Sequence, residues 1–126
     1  MSGRFNGLRV MVVDDSHSMR KIVETMLLEE GCIMECVDNG LEALIKAAQF
    51  RPSLILLDIM MPSLDGYQTC SIIKHHDVLQ TCPVILLSSM DDAFNKMTGK
   101  MAGADDYVCK PFHKDTLLTA IQRAVR

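Results

Sequence analysis

Apolar residues occur along this chain in two alternating kinds of run. Compact blocks, at Leu8 to Val13, Ile33 to Val37, Leu54 to Leu57, Val84 to Leu87 and the short Tyr107 to Cys109, have little polar alternation, which is the pattern of strands covered on both faces. Between them, Ser18 to Glu30, Gly40 to Phe50, Tyr67 to His76, Asp91 to Ala102 and His113 to Val125 repeat apolar residues three and four positions apart, the period of an amphipathic helix. In the first of these, Met19, Ile22, Val23, Met26 and Leu27 form one stripe. Gly31 follows as a C-terminal cap, Asp38-Asn39-Gly40 supplies a turn, and Pro52 and Pro83 stand just before the third and fourth strands. Five βα units in strict succession predict an α/β fold: a parallel sheet with helices on both faces, joined by right-handed crossovers.

Composition narrows what such a fold can serve. With 126 residues, 48% of them hydrophobic, and no linker, repeat or low-complexity tract, the chain is expected to form one domain over residues 1–126. A net charge of -3 without a basic run argues against nucleic acid and against a membrane surface as partners. No apolar run approaches the roughly 20 residues of a membrane span. MSGRFNGLR lacks the apolar centre of a signal peptide, so a cytoplasmic location is expected. The five cysteines, an odd number without CxxC spacing, suit reduced thiols in a core.

In an open parallel sheet, ligands bind beyond the carboxyl ends of the strands. Here the first strand ends in Asp14-Asp15, the third in Asp58, the fourth in Ser88-Ser89 and the fifth in Cys109-Lys110-Pro111. Taken singly, Asp14, Asp15 or Ser16 could cap the first helix, Asp58 could open a turn, and Ser88 and Ser89 could cap the fourth helix. Such local roles do not account for acids, hydroxyl and lysine gathering on one edge. His75-His76 with Cys70 or Cys82 lacks the spacing of a zinc site and reads as solvated, and Asp105-Asp106 reads as a solvated turn.

VVDDS, LLDIMMPSLDGY, LLSS and YVCKPF, in this order and at these strand ends, resemble the receiver domain of bacterial two-component response regulators, similar to the chemotaxis regulator CheY. The resemblance covers essentially the whole chain. It implies a doubly wound, flavodoxin-like sheet in the order 2-1-3-4-5 with five helices. It also implies that Asp58 accepts a phosphoryl group from a histidine of a partner kinase. Asp15 and Asp58 would bind a metal directly, Asp14 mostly through water, and the backbone carbonyl of Met60 would complete the protein ligands. Three carboxylates in one crevice repel unless a cation neutralises them, and an all-oxygen set suits Mg²⁺ or Mn²⁺. Lys110, aimed by a cis Lys110-Pro111 peptide, would supply the second cation beside the phosphate. Ser88 would sense phosphorylation through its hydroxyl, and Tyr107 would be the switch aromatic. Ser88 stands where threonine is frequent and Ser89 where alanine is usual; neither removes a required group. IMMPSLDGYQTCSIIK and VILLSSMD resemble the regulators of type IV pilus twitching motility, the PilG kind.

Two function classes follow. The first is a phosphorylation-controlled module without an appended output domain, a monomer or a phosphorylation-linked dimer. It would catalyse only its own phosphorylation and dephosphorylation, and signal to a downstream protein through the face built by Asp91 to Ala102, Tyr107 to Cys109 and His113 to Val125. The alternative is a metal-dependent, phosphatase-like enzyme acting on an external phosphate ester. The absence of GxGxxG, GxxxxGK[ST] and DxD motifs disfavours it.

Overall fold

The computed structural model describes residues 3–89, 98, 100 and 102–125. The strands β1 (Arg9–Val13), β2 (Ile33–Val37), β3 (Leu54–Asp58), β4 (Val84–Ser88) and β5 (Asp106–Cys109) form one parallel sheet in the order β2-β1-β3-β4-β5. The helices are α1 (His17–Leu28), α2 (Gly40–Phe50), α3 (Gly66–Lys74) and α4 (Lys114–Ala124). Four helices rather than five are therefore delimited among the described residues. The predicted helix at Asp91 to Ala102 lies outside them except at residues 98, 100 and 102, of which Thr98 and Lys100 are helical.

β3 and β4 are buried at every position, and β1 at all but its first, so these three apolar strands occupy the middle of the sheet. Side chains alternate between its faces. Met11, Val13, Ile55, Leu57 and Leu86 pack with Ala43 and Ala47 of α2 and Cys70 and Ile73 of α3. Val10, Val12, Leu54, Leu56 and Ile85 pack on the other side with Val23 and Leu27 of α1 and with Leu117 and Ile121 of α4. Burying each large apolar side chain contributes roughly 1.5–3 kcal/mol. The stripe on α1 is narrower than its spacing predicts: Val23 and Leu27 are buried, whereas Ile22 is exposed.

Caps set the helix starts. Ser16 Oγ accepts from the Met19 amide, Asn39 caps α2, and Asp65 forms a reciprocal capping box with Gln68 at α3. Gly31, past the end of α1, has a φ of 86°, where a side chain would be strained.

At the edge where the strands begin, Arg9 donates through Nε and Nη2 to the Phe50 carbonyl, at 2.9 and 2.6 Å, and lies over the Phe50 ring. These bonds satisfy the exposed end of α2. Lys74 Nζ donates to the Cys82 carbonyl at 2.9 Å and to Asp105 Oδ2 at 2.6 Å, while the Val84 amide also donates to Asp105 Oδ2. Asp105 is therefore no mere solvated turn; it ties α3 to the start of β4. All five cysteines are free. Burial pushes the thiols of Cys32, Cys36, Cys70 and Cys82 up to about 11. No helix among the described residues is long and apolar enough to cross a membrane.

Candidate functional site

Register brings the strand ends level. Val13 pairs with Leu57, Asp58 with Leu87, and Ser88 with Cys109, so Asp14, Asp58, Ser88 and Lys110 fall on one edge. Carboxylate oxygens of Asp14, Asp15 and Asp58 all lie within 4.8 Å of one another. Asp14 and Asp58 are buried, and Asp15 is exposed at the mouth. Lys110 Nζ bridges the two buried acids, donating to Asp14 Oδ2 at 2.9 Å and to Asp58 Oδ1 at 3.0 Å.

One ammonium among three carboxylates leaves the cluster negative. Burial raises the Asp58 carboxyl above its ordinary range, the Lys110 hydrogen bond opposes that rise, and the charge of Asp14 adds to it. Burial alone would lower the Lys110 ammonium, but its hydrogen bonds to Asp14 and Asp58 outweigh burial and raise it. Lys110 is thus held charged, between two acids of which one is reluctant to ionise.

Each residue owes its place to local structure. The Asp14 amide donates to the Val37 carbonyl of β2, and the Ser16 amide donates to Asp14 Oδ1 at 2.9 Å. Beyond Asp58, the Ile59 amide donates to the Leu87 carbonyl and the Gly66 amide to the Ile59 carbonyl. A Cβ at Gly66 would collide with the Asp58 carbonyl oxygen, so only glycine lets α3 start this close to the acid. Met60 is 63% exposed in the loop between them. Ser88 is buried at the end of β4, and its carbonyl accepts from the Lys110 amide at 2.6 Å. The Lys110-Pro111 peptide is cis, as expected. Tyr107 is half-buried beside a surface depression of about 700 Å³, lined also by Phe112 and by Thr116, Thr119 and Arg123 of α4.

The expected acids and lysine therefore meet. Met90 lies outside the described residues. His75 and His76 take local roles after α3: His75 Nδ1 lies 2.7 Å from the Ser71 carbonyl, and His76 Nδ1 accepts from the amides of Val78 and Leu79. The pattern left two contributors unnoticed. One is the Asp65 and Gln68 box that starts α3 beside Asp58, visible in its spacing. The other is Arg20, whose Nη1 donates to the Asp14 carbonyl at 2.6 Å and which no motif marks.

Three carboxylates with no nitrogen or sulfur donor fit a hard divalent cation that keeps some water ligands. Among the described residues, this is the one group of such side chains gathered closely enough to hold a metal ion.

An acidic crevice closed by a lysine, on the carboxyl edge of a sheet ordered 2-1-3-4-5, defines a phosphorylation-controlled signalling module. The family profile of the response regulator receiver domain matches residues 10–122, and the chain belongs to that family. It is 46% identical over 125 residues to Protein PilG of Pseudomonas aeruginosa, covering 99% of this chain and 93% of that protein. The probable transcriptional regulator ycf27 of Porphyra purpurea is 42% identical over 94% of this chain, which covers 47% of its length, so the chain spans about half of that relative. Among solved structures, chemotaxis protein CheY4 of Vibrio cholerae aligns with a TM-score of 0.90 at 32% identity, over 94% of this chain and 98% of that one. The receiver domain of sensor histidine kinase PA1611 from Pseudomonas aeruginosa, with a magnesium ion coordinated in its active-site cleft, aligns with a TM-score of 0.87 at 28% identity, over the same shares. None of these relatives supports the phosphatase-like alternative.

Proposed function

We propose that this chain, as one receiver domain over residues 1–126, is a phosphorylation-activated switch whose phosphoacceptor is Asp58. The observation that carries the reading is Asp58 on Lys110 at 3.0 Å, with two further carboxylates within 4.8 Å. Phosphoryl transfer is mainly positioning and charge stabilisation. A carboxylate oxygen of Asp58 attacks phosphorus while the bond from phosphorus to the donor kinase's histidine nitrogen breaks, leaving an acyl phosphate on Asp58 and a free imidazole. Mg²⁺ or Mn²⁺, held by Asp15, Asp58 and the Met60 carbonyl and by Asp14 through water, would offset the charge of the incoming group. Lys110 then pairs with a phosphoryl oxygen.

Ser88, at the end of the strand beside the one that Lys110 follows, donates its hydroxyl to the phosphoryl group. Its movement makes room for Tyr107 to turn inward and remodels the face formed by β5 and α4. The new Ser88 and Lys110 contacts exist only in the phosphorylated state, and this difference is what biases a two-state element. The reader of that face is a protein, not a nucleic acid or a membrane. Similarity to PilG supports a role in pilus motility, in the cytoplasm, with the chain monomeric or dimerising on phosphorylation.

Acetyl phosphate with Mg²⁺ tests the reading: one acid-labile gain of roughly 80 Da, a single phosphoryl group, should map to Asp58 and be missing in Asp58→Asn. Full-yield labelling of another residue would overturn it.

A further inference from the structure

Asp14 and Asp15 are adjacent, yet the structure holds them very differently. Every polar atom of Asp14 has a partner: its amide donates to Val37, Oδ1 accepts from Ser16, Oδ2 accepts from Lys110, and the carbonyl oxygen accepts from Arg20 Nη1 at 2.6 Å. The carboxylate of Asp15 accepts no hydrogen bond among the described residues. The main chain is what places it, beginning with the peptide whose carbonyl is that of Asp14.

Arg20 is the side chain that grips this peptide. It sits in the opening of α1, where its own amide donates to the Ser16 carbonyl. Helical side chains lean toward the amino end, which carries its guanidinium back over the loop after β1. Arg20 forms no ion pair among the described residues. Its polar partners are the Asp14 carbonyl and, at 3.5 Å, His17 Nδ1. Arg20 lines a depression of about 260 Å³ together with Asp38, Glu42 and Lys46, and neither acid pairs with it. The shorter of its two polar contacts is therefore to a backbone carbonyl, a charge-assisted bond stronger than a neutral one.

We infer that Arg20 is a positioning residue of the metal site: by fixing the Asp14-Asp15 peptide it orients the otherwise unsupported Asp15 carboxylate toward the cation. The inference rests on the reading of Asp15 as a metal ligand. It also makes a prediction of sign. A cation near the acids repels Mg²⁺, so if Arg20 acted by charge alone, its removal would tighten metal binding. If Arg20 positions Asp15, its removal weakens metal binding despite the lost repulsion.

Mg²⁺ titrations followed by calorimetry and by the Asp15 amide signal, on wild type, Arg20→Lys, Arg20→Met and Asp15→Ala, separate these. Methionine keeps the apolar stem but neither charge nor donor, and lysine keeps the charge and one donor. The expected affinities fall in the order arginine, lysine, methionine, with Arg20→Met about tenfold weaker, the usual scale for groups that orient a ligand. The Asp15 amide should also exchange faster in Arg20→Met. Equal or tighter binding by Arg20→Met, with binding lost in Asp15→Ala, overturns the positioning role and leaves the metal reading standing. Unchanged binding in Asp15→Ala overturns both. Should Arg20→Met fail to fold, Arg20→Lys decides: weaker binding than wild type supports the inference and equal binding overturns it.

Discussion

Where the strands begin, Lys74 is matched by Asp105 and the Cys82 carbonyl, Asp105 also receives the Val84 amide, and Arg9 is matched by the Phe50 carbonyl and ring. Where the same strands end, three carboxylates share one Lys110 ammonium. The first edge is closed in that each of these cations has its partners, and the bonds hold secondary structure together. The second is left with surplus negative charge, in partly buried surroundings where repulsion is less screened. One sheet thus places stability at one end and surplus negative charge that calls for a cation at the other. Substitutions at the two edges should separate accordingly.

The largest effect belongs to the open edge. Asp58→Asn should abolish phosphorylation by acetyl phosphate while unfolding no earlier than wild type without metal, because one of the repelling charges is gone. Denaturation and intact-mass measurements on the same samples check both halves. A clear loss of stability would mean that Asp58 is structural and would erase the contrast between the edges.

The closed edge should answer in the opposite way. Asp105→Ala removes the counter-charge of the mostly buried Lys74 ammonium and the acceptor of the Val84 amide, and should cost about 1–3 kcal/mol in urea unfolding. Its rate of phosphorylation should match wild type. A slowed rate at full folding would show that the edges are coupled through β4.

Proton linkage sharpens the comparison. The Asp58 carboxyl is raised, chiefly by burial, so the folded state holds its proton more tightly than the unfolded state. Its contribution to apo stability is fully present below the ordinary aspartate range and is lost as the pH rises through the raised value. Wild type minus Asp58→Asn, compared in denaturant midpoints across acidic pH without metal, should fall as pH rises. At the alkaline end the buried thiols act alike: the contributions of Cys70 and Cys82 persist below pH about 9 and are lost as the pH rises through about 11. That second decline should be the same in Asp58→Asn.

The smallest expected effect concerns the rim. Met60, exposed beside the site, has no group that can hold an attacking water in line with phosphorus, and Met90 is apolar too. Water positioning governs such rates. Met60→Asn with Met90→Glu should therefore shorten the lifetime of the acyl phosphate a few-fold, without moving the unfolding midpoint. Equal or slower decay in Mg²⁺ would show that these side chains do not set it.

Legibility differed by element for physical reasons. Ile33–Val37 and Gly40–Phe50 begin and end where the pattern predicts, because turn residues and a capping Asn39 bound them. The start of α3 was harder: hydrophobic period points to Tyr67, whereas the Asp65 and Gln68 box draws the helix back to Gly66. Ile22 fits the stripe of α1 yet stays exposed, since period shows a direction on a helix and not how far the neighbouring sheet extends. Asp105 looked solvated because its partners, Lys74 and Val84, are distant in sequence.

By itself the sequence determined the alternation of strands and helices, the apolar middle strands and the acids, hydroxyl and lysine at the strand ends, because periodicity and local turn chemistry are properties of neighbours along the chain. Tertiary structure decided what those residues do to one another. Parallel register brought Asp14 and Asp58 onto one ammonium 96 and 52 positions away. Burial then raised the Asp58 carboxyl, and the reach of Arg20 back along α1 took hold of the Asp14 carbonyl. These effects depend on distance and dielectric, which exist only once the sheet has brought remote parts of the chain together.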